Sequence, residues 1–347
     1  MKKIIGVVSD NRYLDHKIGQ LTKECPERLK NIYLEIEKPS YSKYLKNFSP
    51  RVITDQELLA VHSQFYIDQI KHYCVHENPY AYDRDTYLMR ESLYTSQLAA
   101  GGCIVLADAI MTGEIDRGFA LVRPPGHHAD TGRGIGFCIL NNIAITAKYL
   151  EDKYKLDRIL IVDFDVHHSN GTQEIFYLSD KTLVISIHQE NLFPFSGKTN
   201  DLGKKNGLGY NINIPVNPQF GDLEYKYIFG KVIQNIAEQY LPQIILVSAG
   251  FDAHIDDPIS KTSLTTGGFR DITEILKYFA KEFCNDKLLY ILEGGYNLES
   301  LKNSVMTSID SLVESDVKKP GFGLSSRVET LLTSGFFNII NGKWTIV

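Results

Sequence analysis

Runs such as Ile159-Leu160-Ile161-Val162 and Ile244-Ile245-Leu246-Val247 are apolar at every position, and this constrains the fold more than any other feature of the chain. Side chains along a strand point alternately to opposite faces, so a strand with one wet face alternates apolar and polar residues. A run without alternation needs cover on both faces, which is the condition of a parallel sheet between layers of helices. Comparable runs occupy 4–8, 118–122, 159–165, 183–188, 210–216, 244–250 and 288–294. Among them lie helix-like segments at 92–111, 140–152, 223–239, 268–283 and 298–313. Strands alternating with helices predict an α/β protein with a mostly parallel sheet. No repeat, low-complexity tract or Pro/Ser-rich linker interrupts the sequence, so one domain over 1–347 is expected, with no role assigned to 316–347.

With 347 residues, 43% of them hydrophobic, the chain can bury a large core. A net charge of -5 offers no basic stripe to displace counterions from phosphates, so a nucleic-acid partner is not expected. Cys25, Cys74, Cys103, Cys138 and Cys284 are odd in number and scattered, without Cys-x-x-Cys spacing. That pattern points away from a disulfide framework or a cysteine-rich zinc site and towards a reducing, cytoplasmic setting. The N-terminal MKKIIGVVSD holds too short an apolar run for a signal-peptide core and reads as a first strand. No stretch approaches the roughly 20 apolar residues of a membrane-spanning helix, so no membrane partner is expected. Oligomeric state has no signature in the sequence.

Residues capable of chemistry follow three of the strand-like runs, where parallel α/β sheets collect ligands. In Asp163-Phe164-Asp165-Val166-His167 the polar side chains recur at period two, and on an extended strand end they would point the same way. Read instead as caps for a helix near Asn170, the carboxylates would lie buried together without a cation, which is costly. Ser248-Ala249-Gly250-Phe251-Asp252 ends a buried run on glycine and presents another carboxylate, a pattern that alone also fits a turn or helix cap. A site of two carboxylates and one histidine suits Zn²⁺ or Fe²⁺, with a position open for water and substrate.

Arg123-Pro124-Pro125-Gly126-His127-His128 delivers adjacent imidazoles from a turn fixed by two prolines. Groups that titrate near neutrality can take a proton from water and return one to a leaving amine, although a solvent-exposed pair would look the same. Glu293-Gly294-Gly295-Tyr296 lets the backbone approach a ligand and aims a phenol that can donate to an oxyanion. With 20 tyrosines in the chain, a glycine turn before a half-buried tyrosine is the plainer alternative.

With these motifs assembled, the sequence resembles the histone deacetylase and acetylpolyamine amidohydrolase superfamily over about residues 4–312, most closely its class IIb and bacterial-type members. The pieces are Arg-Pro-Pro-Gly-His-His at 123–128, Gly-Phe-Cys at 136–138 with Asn141-Asn142, and Asp-Phe-Asp-Val-His-His-Ser-Asn-Gly-Thr-Gln at 163–173. Ser-Ala-Gly-Phe-Asp at 248–252 and Leu-Glu-Gly-Gly-Tyr-Asn at 292–297 complete the set, in the family's order. The resemblance implies an arginase/deacetylase fold, a central, mostly parallel sheet of about eight strands with helices on both faces. It also implies that Asp165, His167 and Asp252 hold zinc, with Fe²⁺ the alternative metal in the cell. His128 matches the proton shuttle, His127 its electrostatic companion, and Tyr296 the residue that polarises the scissile carbonyl. Asp163 matches the partner of His127 and Asn170 the partner of His128; asparagine there is the class II pattern.

By the same resemblance, Phe137 and Phe193 wall an acyl-lysine tunnel, and the Gly136 carbonyl receives the substrate amide proton. Gly294, Ile259 and Asp85 join the substrate-binding set, Asp85 as the rim residue that holds the substrate backbone. An inner K⁺ site would use Asp163, Asp165, His167, Ser186 and the Ile187 carbonyl; an outer one, Phe176, Ser179, Thr182 and Tyr210. The expected reaction is hydrolysis of an acyl, by default acetyl, amide on a lysine of a protein or peptide, or on a small acylated amine.

Two departures bear on the pocket mouth. Where the family often carries His-Pro-Glu, this chain has Thr22-Lys23-Glu24, and Ile259 stands where polyamine-selective relatives place a glutamate. An apolar gate disfavours the alternative of an acetylpolyamine amidohydrolase. A binuclear manganese hydrolase of the arginase kind is disfavoured by Ser169 and His254, which replace the additional carboxylates such a site needs. A non-catalytic acyl-lysine binding module would have no use for His127, His128 and Tyr296.

Overall fold

The computed structural model describes residues 2–17, 22–75, 77–319, 321, 323, 326–331 and 342–346. In chain order the strands are β1 (Ile5–Val8), β2 (Leu45–Asn47), β3 (Tyr80–Ala81), β4 (Tyr87–Leu88), β5 (Arg117–Ala120), β6 (Ile159–Asp163), β7 (Thr182–Gln189), β8 (Asn211–Val216), β9 (Ile244–Ala249) and β10 (Leu288–Leu292). β3 and β4 form a small antiparallel hairpin. The other eight make one sheet in the order β2-β1-β5-β10-β9-β6-β7-β8, with every neighbouring pair parallel.

Every residue of β6, β7, β9 and β10 is buried, as the unbroken apolar runs require. Helices flank the sheet in two groups. Ser92–Met111 packs on Asn142–Tyr154, while Thr266–Phe283 packs on Leu298–Val313, which in turn meets Glu27–Ile36. Ser92–Met111 is, contrary to the sequence expectation, long and apolar enough to cross a membrane. In this fold it is a core helix, mostly buried and packed on β1 and β5. The helix expected over 223–239 is three pieces, Asp222–Tyr227, a π-helical turn Ile228–Ile233 and Gln234–Tyr240, ending where Leu241 adopts φ +52.

Strands stop earlier than their apolar runs suggest, and the reason positions the chemistry. β6 ends at Asp163, so Asp165 and His167 lie in the turn beyond it rather than along a strand at period two. The turn is held by its own carboxylates: Asp163 Oδ1 accepts the Asp165 N–H at 3.0 Å, and Asp165 Oδ1 accepts the His167 N–H at 2.9 Å. Side chains thus replace ladder partners where the backbone leaves the sheet.

Candidate metal centre and tunnel

The loops after β5, β6, β9 and β10, central neighbours in the sheet, converge on one point. Asp165, His167 and Asp252 are buried, and their donor atoms all lie within 4.8 Å of one another. His167 Nδ1 is 2.9 Å from Asp165 Oδ1 and 3.0 Å from Asp252 Oδ2. The remaining carboxylate oxygens are committed to backbone, Asp165 Oδ2 to the Gly294 N–H at 2.9 Å and Asp252 Oδ1 to the Val166 N–H at 2.9 Å. Each carboxylate is thereby aimed and keeps an oxygen for the common point.

Two carboxylates buried this close together favour a positive charge between them. Burial pushes the Asp252 carboxyl up, the Asp165 charge adds to it, and His167 opposes, leaving it above the ordinary carboxylate range. For His167, burial pulls down, but hydrogen bonds to Asp165 and Asp252 raise it to about 10. Two carboxylates and an imidazole in dry surroundings fit a divalent zinc or iron ion by donor chemistry, with room for further ligands.

The His127-His128 turn is positioned from beneath by Glu293, whose Oε2 accepts the Gly126 N–H at 2.6 Å and the His127 N–H at 3.2 Å. His127 Nδ1 lies 3.0 Å from Asp163 Oδ2, and Nε2 lies 3.8 Å from Asp165 Oδ1. Burial alone would lower this imidazole, but the carboxylates of Asp165 and Asp163 raise it above the usual histidine range. Its neighbour behaves oppositely. Burial, the charge of His127 and that of His167 hold His128 well below the usual histidine range. Asn170 Oδ1 sits 2.8 Å from His128 Nδ1, which assigns the proton to Nδ1 and leaves Nε2 as a free base.

Above this floor opens a cavity of about 320 Å³ lined by Thr22, Lys23, Asp85, His128, Gly136, Phe137, His167, Phe193, Ile259 and Tyr296. Gly136, at φ +56, passes so close that a Cβ would stand 2.7 Å from His128 and 2.8 Å from Phe193. Phe137 packs on Tyr296 at 5.4 Å between ring centroids, and Phe193 packs edge-on against His128 at 5.2 Å. Asp85 reaches the mouth on the β3–β4 hairpin, where Asp83 Oδ1 accepts the N–H groups of Asp85 and Thr86 at 2.9 and 2.7 Å. Burial holds the Tyr296 phenol well above its ordinary range, so it stays a donor.

Two groups of expected residues lie elsewhere. Gly294 is behind the carboxylates, not on the tunnel: a Cβ there would meet Asp252 Oδ2 at 2.2 Å and Asp165 Oδ2 at 2.5 Å. Its part is close packing under the two carboxylates. Of the residues expected around potassium, Ser186 pairs in register with Asp163 and its hydroxyl is 2.9 Å from His188 Nδ1, with Ile187 the next residue of β7. Phe176 and Ser179 share a turn, the Ser179 N–H donating to the Phe176 carbonyl at 2.9 Å. The Tyr210 carbonyl faces the Val184 N–H at 3.0 Å, and the Thr182 hydroxyl donates to Glu151 at 2.8 Å.

A buried charge cluster beside the site carries no motif in the sequence. Arg123 binds Glu24 through Nε and Nη2 at 2.5 and 2.7 Å, and Arg28 Nη1 reaches the same carboxylate at 3.0 Å. Arg28 then donates to the carbonyls of Gly295 at 2.7 Å and Glu293 at 2.5 Å and lies 5.0 Å from the Tyr296 ring centre. Asp257 Oδ2 accepts the Tyr296 N–H at 2.7 Å from the other side. The available signal is the i,i+4 spacing of Glu24 and Arg28, but linear sequence does not show that such charges are dry.

The comparisons agree with this fold. The histone deacetylase domain family matches residues 22–312. A probable deacetylase of Archaeoglobus fulgidus is 36% identical over 298 residues, covering 85% of this chain and 82% of that protein. Histone deacetylase 18 of Arabidopsis thaliana is 34% identical, covering 89% of this chain and 47% of the relative. A solved structure, the HD domain of HDA15, superposes with a TM-score of 0.90 at 34% identity, covering 99% of this chain and 95% of that one. This chain spans about half the length of several curated relatives it matches, 56% of histone deacetylase 14 and 47% of histone deacetylase 18 of Arabidopsis thaliana. A parallel eight-stranded sheet with a buried donor trio beneath a tunnel defines a protein of the arginase/deacetylase fold. The chain belongs to the histone deacetylase family.

Proposed function

We propose that this protein hydrolyses an acyl, by default acetyl, amide on a lysine side chain, with zinc held by Asp165, His167 and Asp252. The observation that carries the reading is the meeting of His128, His167 and Tyr296 in one cavity walled by Phe137 and Phe193. Zinc, when bound, supplies a lowered pKa for water and a polarised carbonyl. His128 Nε2 takes the proton of the attacking water, oriented by the Asn170 contact at Nδ1. His127, protonated and held by Asp163, keeps positive charge beside the reaction without exchanging protons itself. The Tyr296 hydroxyl donates to the carbonyl oxygen as negative charge gathers there. As the C–N bond breaks, His128 returns its proton to the departing amine, releasing a carboxylic acid and free lysine.

Two aromatic rings suit the aliphatic stem of lysine, and Lys23 and Ile259 at the mouth offer little to the second ammonium of a polyamine. Potassium at the oxygen-rich positions around Ser186 and Tyr210 would have a structural part in this reading. The test is hydrolysis of matched acyl-lysine peptides and acetylated polyamines by zinc-loaded protein, with a hydroxamate-inhibited control. Inhibitable release from lysine peptides is expected; activity confined to polyamines would contradict the substrate assignment.

A further inference from the structure

Phe195 is 78% exposed, more than any other large hydrophobic side chain among the described residues, and its backbone sits at φ +62. A bulky residue in left-handed backbone is strained, and burial gives no return for the strain here. The other aromatic residue with positive φ among the described residues is Phe137, at +68, a wall of the tunnel. Strained backbone thus displays aromatic rings twice in this molecule, once inside the tunnel and once two residues along the chain from its wall Phe193.

The Phe195 N–H donates to the Leu192 carbonyl at 2.8 Å, closing a turn with Phe193 on the tunnel. Phe195 instead walls a second cavity of about 400 Å³ with Glu190, Asn191, Lys198 and Asn200. The loop is anchored just past the ring, where Ser196 Oγ meets His168 Nδ1 at 2.8 Å and His188 Nε2 meets the Gly197 carbonyl at 3.0 Å. Two residues of chain span at most about 7 Å, which is also the reach of a substrate residue two positions from the lysine in the tunnel.

We propose that Phe195 is a specificity-determining residue that holds an apolar side chain of the substrate polypeptide within two positions of the acylated lysine. The proposal rests on the deacylase reading, so the test carries its own control for that reading. Zinc-loaded wild type, Phe195→Ala and Phe195→Leu are assayed on a doubly capped acetyl-lysine amide without flanking residues. The same proteins are assayed on acetylated peptides that differ only in leucine or serine at each of the two positions on either side. Wild type should favour leucine in at least one position by roughly fivefold in kcat/KM, mainly through KM. Phe195→Ala should erase that preference and Phe195→Leu keep part of it, with the capped amide turned over within about twofold by all three.

A wild-type enzyme indifferent to leucine, or a preference that survives in Phe195→Ala, overturns the proposal. So does an equal loss on the capped amide and the peptides, which would mark Phe195 as merely structural. Failure of wild type to hydrolyse even the capped amide overturns the deacylase reading itself, and the proposal with it.

Discussion

Tyr296 is held from three sides: Asp257 fixes its backbone N–H, Arg28 lies against its ring, and Phe137 closes the tunnel side. None of these contacts uses the hydroxyl, so Tyr296→Phe should fold and bind zinc normally while turnover falls by roughly 10² to 10³. Turnover, zinc content and melting temperature measured together check this. Glu24 is a different case, because it is dry and faces two guanidinium groups. Burial would raise its carboxyl, but Arg123 and Arg28 hold it at about 2, below the ordinary 4.5. A folded pKa below the unfolded one means that the stabilisation is full above about 4.5 and is lost as pH falls towards 2, on the order of 3 kcal/mol in all. Glu24→Gln should therefore lower stability at pH 7 by roughly 3 to 5 kcal/mol, since it strands buried cations, and should flatten the acid limb. Denaturant unfolding at pH 7 and melting temperatures down the acid range check both effects.

At the scale of elements, the apolar runs were legible because β6, β7, β9 and β10 are buried on both faces and carry no conflicting signal. β2 was not legible: Leu45-Lys46-Asn47 is a short, half-exposed edge strand, recruited by β1 and not by its own composition. His127, Asp165, His167, Asp252 and Tyr296 were readable as candidates because each lies in the loop after a strand end. The Glu24–Arg28–Arg123 cluster and Glu293 as the prop of the histidine turn were not, because a charge that packs inside reads like one on the surface. The C-terminal stretch had no sequence reading at all. In the structure Trp344 is buried, donates from Nε1 to the Gly209 carbonyl at 2.7 Å, and packs edge-on against Tyr210 and Tyr240 at 5.8 and 6.0 Å. Gln239 and Thr345 exchange hydrogen bonds at 2.7 and 3.0 Å beside it. Trp344→Ala should cost roughly 3 to 5 kcal/mol of stability, read by denaturant unfolding, with the turnover of folded protein kept.

For the whole molecule, the sheet order brings the ends of β5, β10, β9 and β6 side by side, so loops distant in sequence deliver two histidines, a phenol and two carboxylates to one place. The trio of Asp165, His167 and Asp252 is the part of this arrangement least comfortable alone, since its charges are buried close together. A metal that binds only the folded chain stabilises it by about 2.7 kcal/mol at a hundredfold excess over Kd, so chelation should lower the melting temperature and zinc restore it. The most direct test of the central claim is a zinc titration of chelator-treated protein, with acetyl-lysine peptide hydrolysis and bound metal followed together. Activity should rise linearly and level off at one metal per chain, with Asp252→Asn failing to recover. Full activity in the stripped protein, or a plateau only at two metals per chain, would contradict the single metal centre proposed for this fold.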